Sequence, residues 1–178
     1  YKQMVGISSI GDTTVVTNKW MLGTRNSFFI GICATLLATS LGTVAALGLS
    51  RPHMPFKGTL MAILISPMIV PLIITSAGMF FFYSKIGLTH TYLGLILAHT
   101  ALGTPFVVIT VTATLTGFDT NLIRASQSLG ADTMRTFFKV IMPLILPGVI
   151  SGGLFAFITS FDEVVVVMFV GSVEQITI

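Results

Sequence analysis

Thr116-Gly117-Phe118-Asp119-Thr120-Asn121-Leu122-Ile123-Arg124-Ala125-Ser126-Gln127-Ser128-Leu129-Gly130-Ala131-Asp132-Thr133-Met134-Arg135-Thr136-Phe137-Phe138-Lys139-Val140-Ile141-Met142 is long enough to cross a bilayer and too polar to do so. Asp119, Arg124, Asp132, Arg135 and Lys139 are spread through it. Asp119 or Thr120 can cap a helix through Leu122–Leu129, Gly130 supplies a break, and a second helical stretch, Thr133–Ile141, runs into Pro143. This order describes a structured element outside the membrane. A plain linker would be shorter and richer in Gly and Ser.

The sequence on either side is of the opposite character. The chain has 178 residues, of which nine are Lys/Arg and six Asp/Glu, or 8 % charged, where a soluble domain carries roughly a quarter. Hydrophobic residues make up 53 % and the mean hydropathy is +0.96. Such a composition cannot supply the polar shell of a soluble domain. Asn26–Leu49, Thr59–Tyr83, Tyr92–Leu115 and Leu144–Val170 together hold two charges, and each exceeds the roughly 20 apolar residues a spanning helix needs. The expected fold is all-α: a polytopic membrane helix bundle with four spans in residues 26–178 and a polar loop at 116–142. Residues 1–25 read as a weakly structured extracytoplasmic segment, with Asn26-Ser27 able to cap the first span. The chain starts at Tyr1 rather than Met and ends soon after the last span, which reads as part of a longer chain.

Several function classes drop out. The net charge is only +3 and no Lys/Arg cluster exists, so nucleic acid is not an expected partner. Cys33 is the single cysteine, and no His/Cys cluster has metal-ligand spacing. Gly6-Ile7-Ser8-Ser9-Ile10-Gly11 has the glycine spacing of a P-loop, but Asp12-Thr13 follows where Lys-Ser/Thr is required. The chain is not expected to bind ATP by that route, and no catalytic motif appears.

Within the spans, Ala34, Ala38, Gly42, Ala46 and Ser50 recur every fourth residue, as do Gly148, Gly152, Ala156 and Ser160. Helix geometry puts each set on one face, and small faces let helices pack closely in lipid. Pro67 and Pro71 should kink or break the second span, and broken membrane helices often line cavities. Ser50–Gly58 is a short basic turn in which two prolines forbid a continuous helix. The third span contains His99 and Pro105, and a lone His in a span most often bonds a neighbouring helix. Asp162 and Glu163 lie in the fourth span, where a carboxylate is costly unless it faces protein or water, so a functional role is the default expectation. Arg51, Lys57, Arg124, Arg135 and Lys139 fall on one side of a four-span topology, against Lys19, Arg25 and Lys85 close to spans on the other. The positive-inside rule then makes the 116–142 loop cytoplasmic.

Arg124-Ala125-Ser126-Gln127-Ser128-Leu129-Gly130-Ala131, with Phe137, Pro143 and Leu146-Pro147-Gly148, resembles the EAA loop of ABC importer permeases. Arg124 stands at the usual Glu and Ser126 at the second Ala, while the glycine and prolines are kept. Thr104-Pro105-Phe106-Val107-Val108, Gly117-Phe118-Asp119 and Ser160-Phe161-Asp162-Glu163-Val164-Val165-Val166 resemble the spermidine/putrescine branch of that family. So do Arg51 with Phe56-Lys57-Gly58, and Pro67 with Pro71.

The resemblance implies a type I importer permease fold in the cell inner membrane. It implies ATPase coupling through Arg124, Ala125, Ser126, Leu129, Gly130, Ala131, Phe137 and Pro143, and a substrate path past Asp162 and Glu163. It also implies two ATPase subunits that use ATP-Mg, a second permease subunit and an extracytoplasmic solute-binding protein. This chain itself would bind no cofactor and hydrolyse nothing. Family members have about six spans, which implies one before Tyr1 and one after Ile178. An ion-gradient-driven transporter using His99 with Asp162/Glu163, and a structural subunit of a membrane complex, are the rival readings.

Overall fold

The computed structural model of the chain describes residues 13–51, 53–117, 119 and 121–172, with side chains from residue 20 onward. The P-loop-like Gly6–Gly11 stretch with Asp12, Pro52 of the basic turn, and Phe118 and Thr120 beside Asp119 lie outside the described residues. The elements are α1 (Thr13–Leu49), α2 (Lys57–Ile69), α3 (Leu72–Ile86), α4 (Tyr92–Thr116), α5 (Asn121–Ser128), α6 (Thr133–Thr136), a π-helical turn (Phe137–Ile141), α7 (Met142–Asp162) and α8 (Val165–Val170). No strand occurs among the described residues.

The small-residue ladders form the centre of the bundle, where α4 lies between α1 and α7. Ala34, Ala38 and Ala46 are buried. A Cβ on Gly42 would stand 2.7 Å from the Cβ of Val107, and one on Gly152 would stand 2.7 Å from the Val107 Cα. A Cβ on Gly148 would collide with the Thr114 hydroxyl. Close backbone approach, the expected use of both ladders, is what they provide.

The first helix departs from expectation. It starts by Thr13 and passes through Arg25 without interruption, so no helix begins at Asn26-Ser27. No proline interrupts this stretch, and both residues are buried inside the helix. Asn26 instead accepts a 3.2 Å hydrogen bond on Oδ1 from the Tyr92 hydroxyl.

The second span breaks where the two prolines predict. Val70 before Pro71 is extended (φ −74°, ψ 137°), as steric exclusion by a following proline requires. The axes of α2 and α3 then bend by 104°. Pro67 deprives the Ile63 carbonyl of its usual donor, and the Ser66 hydroxyl donates to that oxygen at 2.7 Å. Thirteen and fifteen residues give helices of about 20 and 22 Å, each short of the ~30 Å hydrocarbon core.

Together the two pieces cross the bundle. The C-terminal ends of α1 and α4 line one cleft with residues from Ile123 to Ile141. The start of α4 lies at the opposite end, where the His90 N–H donates to the Val170 carbonyl. With α1 and α4 running the same way, the chain between them must return, and the broken pair is that fourth crossing.

The expected stop at Pro143 does not occur. Thr133–Asp162 is one continuous helical path of 30 residues. Proline is tolerated in the first turn of α7. The turn before it widens to the π register, with the Met142 N–H donating to the Phe137 carbonyl five residues back. That widening accommodates the proline ring without a break.

Candidate functional site

The end of the bundle reached by α1 and α4 carries a helical hairpin built on Gly130. Asp119 Oδ1 accepts from the Asn121 N–H at 2.9 Å, which starts α5. At its far end the Gly130 N–H donates to Gln127 O (2.9 Å) and the Ala131 N–H to Ser126 O (3.1 Å). This paired closure needs a left-handed residue between the helices, and Gly130 has φ +81°. No atom lies within 4 Å of where its Cβ would be, so the glycine answers to backbone angle and not to space. Asp132 then caps α6, its Oδ1 accepting from the Arg135 N–H at 2.8 Å.

A hydroxyl pair ties the two arms together. Ser126 Oγ donates to Ile123 O at 2.9 Å and lies 2.9 Å from Thr136 Oγ1. The one Ser126 proton is already committed, so Thr136 donates across. Thr136 is only 2 % exposed. The hairpin presents apolar side chains outward: Leu129 at its tip is 89 % exposed, and Leu122, Met134 and Phe138 are exposed as well. Arg124, Ala125 and Gly130 share the outer surface, and Ser126 and Ala131 are half-buried. Phe137 turns inward to line the cleft against α1. Pro143 stands apart from the hairpin, in the first turn of α7.

The two acids of the last span are separated by a helix break. Asp162 ends α7 and is exposed. Glu163 is extended (φ −86°, ψ 102°) and 8 % exposed. Its Oε1 accepts from the Val166 N–H at 3.0 Å, satisfying a donor at the start of α8. One carboxylate is therefore committed to holding the break, and the other is free of that task. Just before Asp162, Phe161 packs with Phe28 (ring centroids 5.2 Å apart) and Phe157 (5.6 Å).

His99 is 1 % exposed, and its Nδ1 lies 2.8 Å from Ser160 Oγ on α7. It bonds a neighbouring helix, as a lone span histidine is expected to, and its partner is not a carboxylate. No group of three or more His, Cys, Asp or Glu able to hold a metal occurs among the described residues.

Sequence alone did not reveal the capping role of Glu163 or the Ser126–Thr136 pair. The first had a signal in the polar residue preceding a Val run. The second depends on how the hairpin folds back, which spacing does not disclose.

Comparison with known proteins places this geometry. Residues 38–177 match the family model described as binding-protein-dependent transport system inner membrane component. The chain is 34 % identical over 149 residues to the spermidine/putrescine transport system permease protein PotC of Haemophilus influenzae, covering 84 % of this chain and 58 % of that protein. It is 31 % identical over 154 residues to the putrescine transport system permease protein PotI of Escherichia coli, covering 81 % of this chain and 54 % of the relative. It thus spans little more than half the length of these relatives. Among solved structures, a bacterial ABC transporter involved in the import of the acidic polysaccharide alginate superposes with a TM-score of 0.70 at 16 % identity, over 89 % of this chain and 55 % of that one. That likeness bears on the fold.

Proposed function

This chain belongs to the family of binding-protein-dependent transport system inner membrane components, and from that premise we propose that it is a permease subunit of an ATP-driven importer of polyamines. The similar proteins named for spermidine and putrescine transport support the solute class. The proposed assembly adds a second permease subunit, two cytoplasmic ATPase subunits and an extracytoplasmic solute-binding protein.

The observation that carries this reading is a continuous helical connection. The outward-facing tip at Leu129 is fixed by the Gly130 closure and the Ser126–Thr136 bond. From the same hairpin, one helical path runs from Thr133 to Asp162. At 1.5 Å per residue that path is about 45 Å long, enough to cross the bilayer. An ATPase that seats the exposed apolar tip in a groove and moves it would move the far end of α7 with it. ATP binding and hydrolysis stay on the partner; this chain converts the partner's motion into altered access.

At the far end, Asp162 is the carboxylate available to a passing cation, and Glu163 keeps the break that presents it. A carboxylate offsets part of the cost of stripping water from an ammonium group. The neighbouring Phe161 ring, packed with Phe28 and Phe157, can attract an alkylammonium group through its face.

The test is recruitment. Leu129→Asp places a charge where an apolar docking residue is proposed, at a position left exposed by the described residues. The expected result is normal membrane insertion with loss of ATPase co-purification. Undiminished co-purification would refute the docking role.

A further inference from the structure

A second feature of the same end of the bundle is a cleft of about 610 Å³. Its walls are mainly apolar: Val44 and Leu47 from the last turns of α1, Leu115 from α4, and Phe137 and Ile141 from the π-helical turn. Arg51, just past the end of α1, is its one charged lining residue. From Val44 to Arg51 the wall descends about 10 Å along the helix axis, so the cleft passes from charged rim to hydrocarbon depth. Spans α1 and α4 both end here, which sets the rim at the bilayer–water boundary.

The charge balance of this end selects the occupant. Arg51, Lys57, Arg124, Arg135 and Lys139 stand against Asp119 and Asp132. Both acids are already used as helix caps, on the Asn121 and Arg135 N–H groups. Arg51 has no carboxylate partner among the described residues. A docking peptide would meet this excess of cation only with acids of its own, whereas an anionic phospholipid brings both required parts.

We infer that the cleft between the end of α1 and the α6–α7 junction is a binding site for an anionic phospholipid of the adjoining leaflet. Its phosphodiester sits at Arg51 and an acyl chain lies along Val44, Leu47 and Ile141. A guanidinium can grip two phosphate oxygens at once, and basic pockets between spans suit such headgroups. A lipid lodged here touches both the spans and the hairpin. It would brace the hairpin against α1, a function separate from solute choice.

Gly48 offers a clean test because it lines the cleft and no atom lies within 4 Å of where its Cβ would be. Gly48→Leu sends a side chain into the cleft from a Cβ position that meets open space, and improves helix propensity. Arg51→Gln removes the charge at an exposed position. The full-length chain would be held in nanodiscs of equal phosphatidylglycerol and phosphatidylcholine, extracted gently, and its retained lipid counted by native mass spectrometry. The wild type should retain phosphatidylglycerol preferentially. Arg51→Gln should lower that preference about fivefold, the ratio for one basic residue at a membrane surface, and Gly48→Leu should reduce retention of both lipids. A photo-cross-linker at Ile123 should capture lipid. Equal retention of the two lipids by the wild type, no change in either variant, or capture of polypeptide instead of lipid would each overturn the site.

Discussion

Ser126 on α5 and Thr136 on α6 share a hydroxyl–hydroxyl hydrogen bond of 2.9 Å, across a turn whose pivot, Gly130, is held at φ +81°. The bond joins two short helices that have little else to keep them in register. A four-residue helix such as α6 has no independent stability. The hairpin is therefore as rigid as its caps, its glycine closure and this pair.

Removing one partner should show it. Ser126→Ala leaves the buried Thr136 hydroxyl without its acceptor, and Thr136→Val leaves Ser126 with one bond fewer. Each should cost about 1 kcal/mol, and the double variant should cost less than the sum because the pair acts as a unit. A double-mutant cycle on thermal melting in detergent measures the coupling. Strict additivity would show that the bond holds nothing.

Gly130 should tolerate replacement by backbone preference and not by size, since its surroundings are open. Asn, which visits the left-handed region readily, should keep ATPase recruitment near wild type. Val, which does so at high cost, should reduce it strongly. Equal loss in Asn and Val would mean that bulk, and not backbone angle, is limiting.

The two kinds of glycine in the spans should behave oppositely. Gly152→Ala puts a methyl group 2.7 Å from the Val107 Cα, and overpacking of this kind costs about 1–3 kcal/mol. Gly48→Ala meets open space and should stabilise by up to about 1 kcal/mol through helix propensity. Melting temperatures of the two variants should move in opposite directions. A shift of the same sign would contradict the packing assigned to the ladder.

Much of this was legible because it follows from local rules. The four apolar stretches, the ladder spacings, the break before Pro71 and the glycine between two short helices each depend on residues close in sequence. What was not legible depends on contacts or on competition between rules. Asn26-Ser27 has the residues of a cap, yet the helix runs through it because residues 13–25 are already helical and Tyr92 supplies a partner. Pro143 looks like a terminator, yet a π-helical turn absorbs it. Asp162 and Glu163, adjacent and so about 100° apart on a helix, leave open which of them would face a path until the backbone breaks between them and gives Glu163 a donor to satisfy. Their spacing does not disclose which of the two that inequality commits.

That inequality supports a sharper expectation than charge alone. Glu163→Gln keeps an acceptor for the Val166 N–H and should preserve the break, so its effect on stability should be under about 1 kcal/mol. Glu163→Leu removes the acceptor and should destabilise by about 1–3 kcal/mol. Melting of the two variants checks this, and equal stability would mean that the Glu163 bond does not hold the break.

The most direct test of the proposed function is ATP-driven uptake of labelled putrescine and spermidine. The assay uses proteoliposomes containing the full-length chain with its second permease subunit, ATPases and solute-binding protein. Asp162→Asn removes a charge from an exposed side chain and should leave assembly and melting unchanged. The account predicts ATP-dependent uptake by the wild type and at least a tenfold loss in Asp162→Asn, equivalent to about 1.4 kcal/mol or more. Wild-type assemblies that import neither amine, or Asp162→Asn assemblies that import both at the wild-type rate, would contradict it: the first the solute class, the second the path past Asp162.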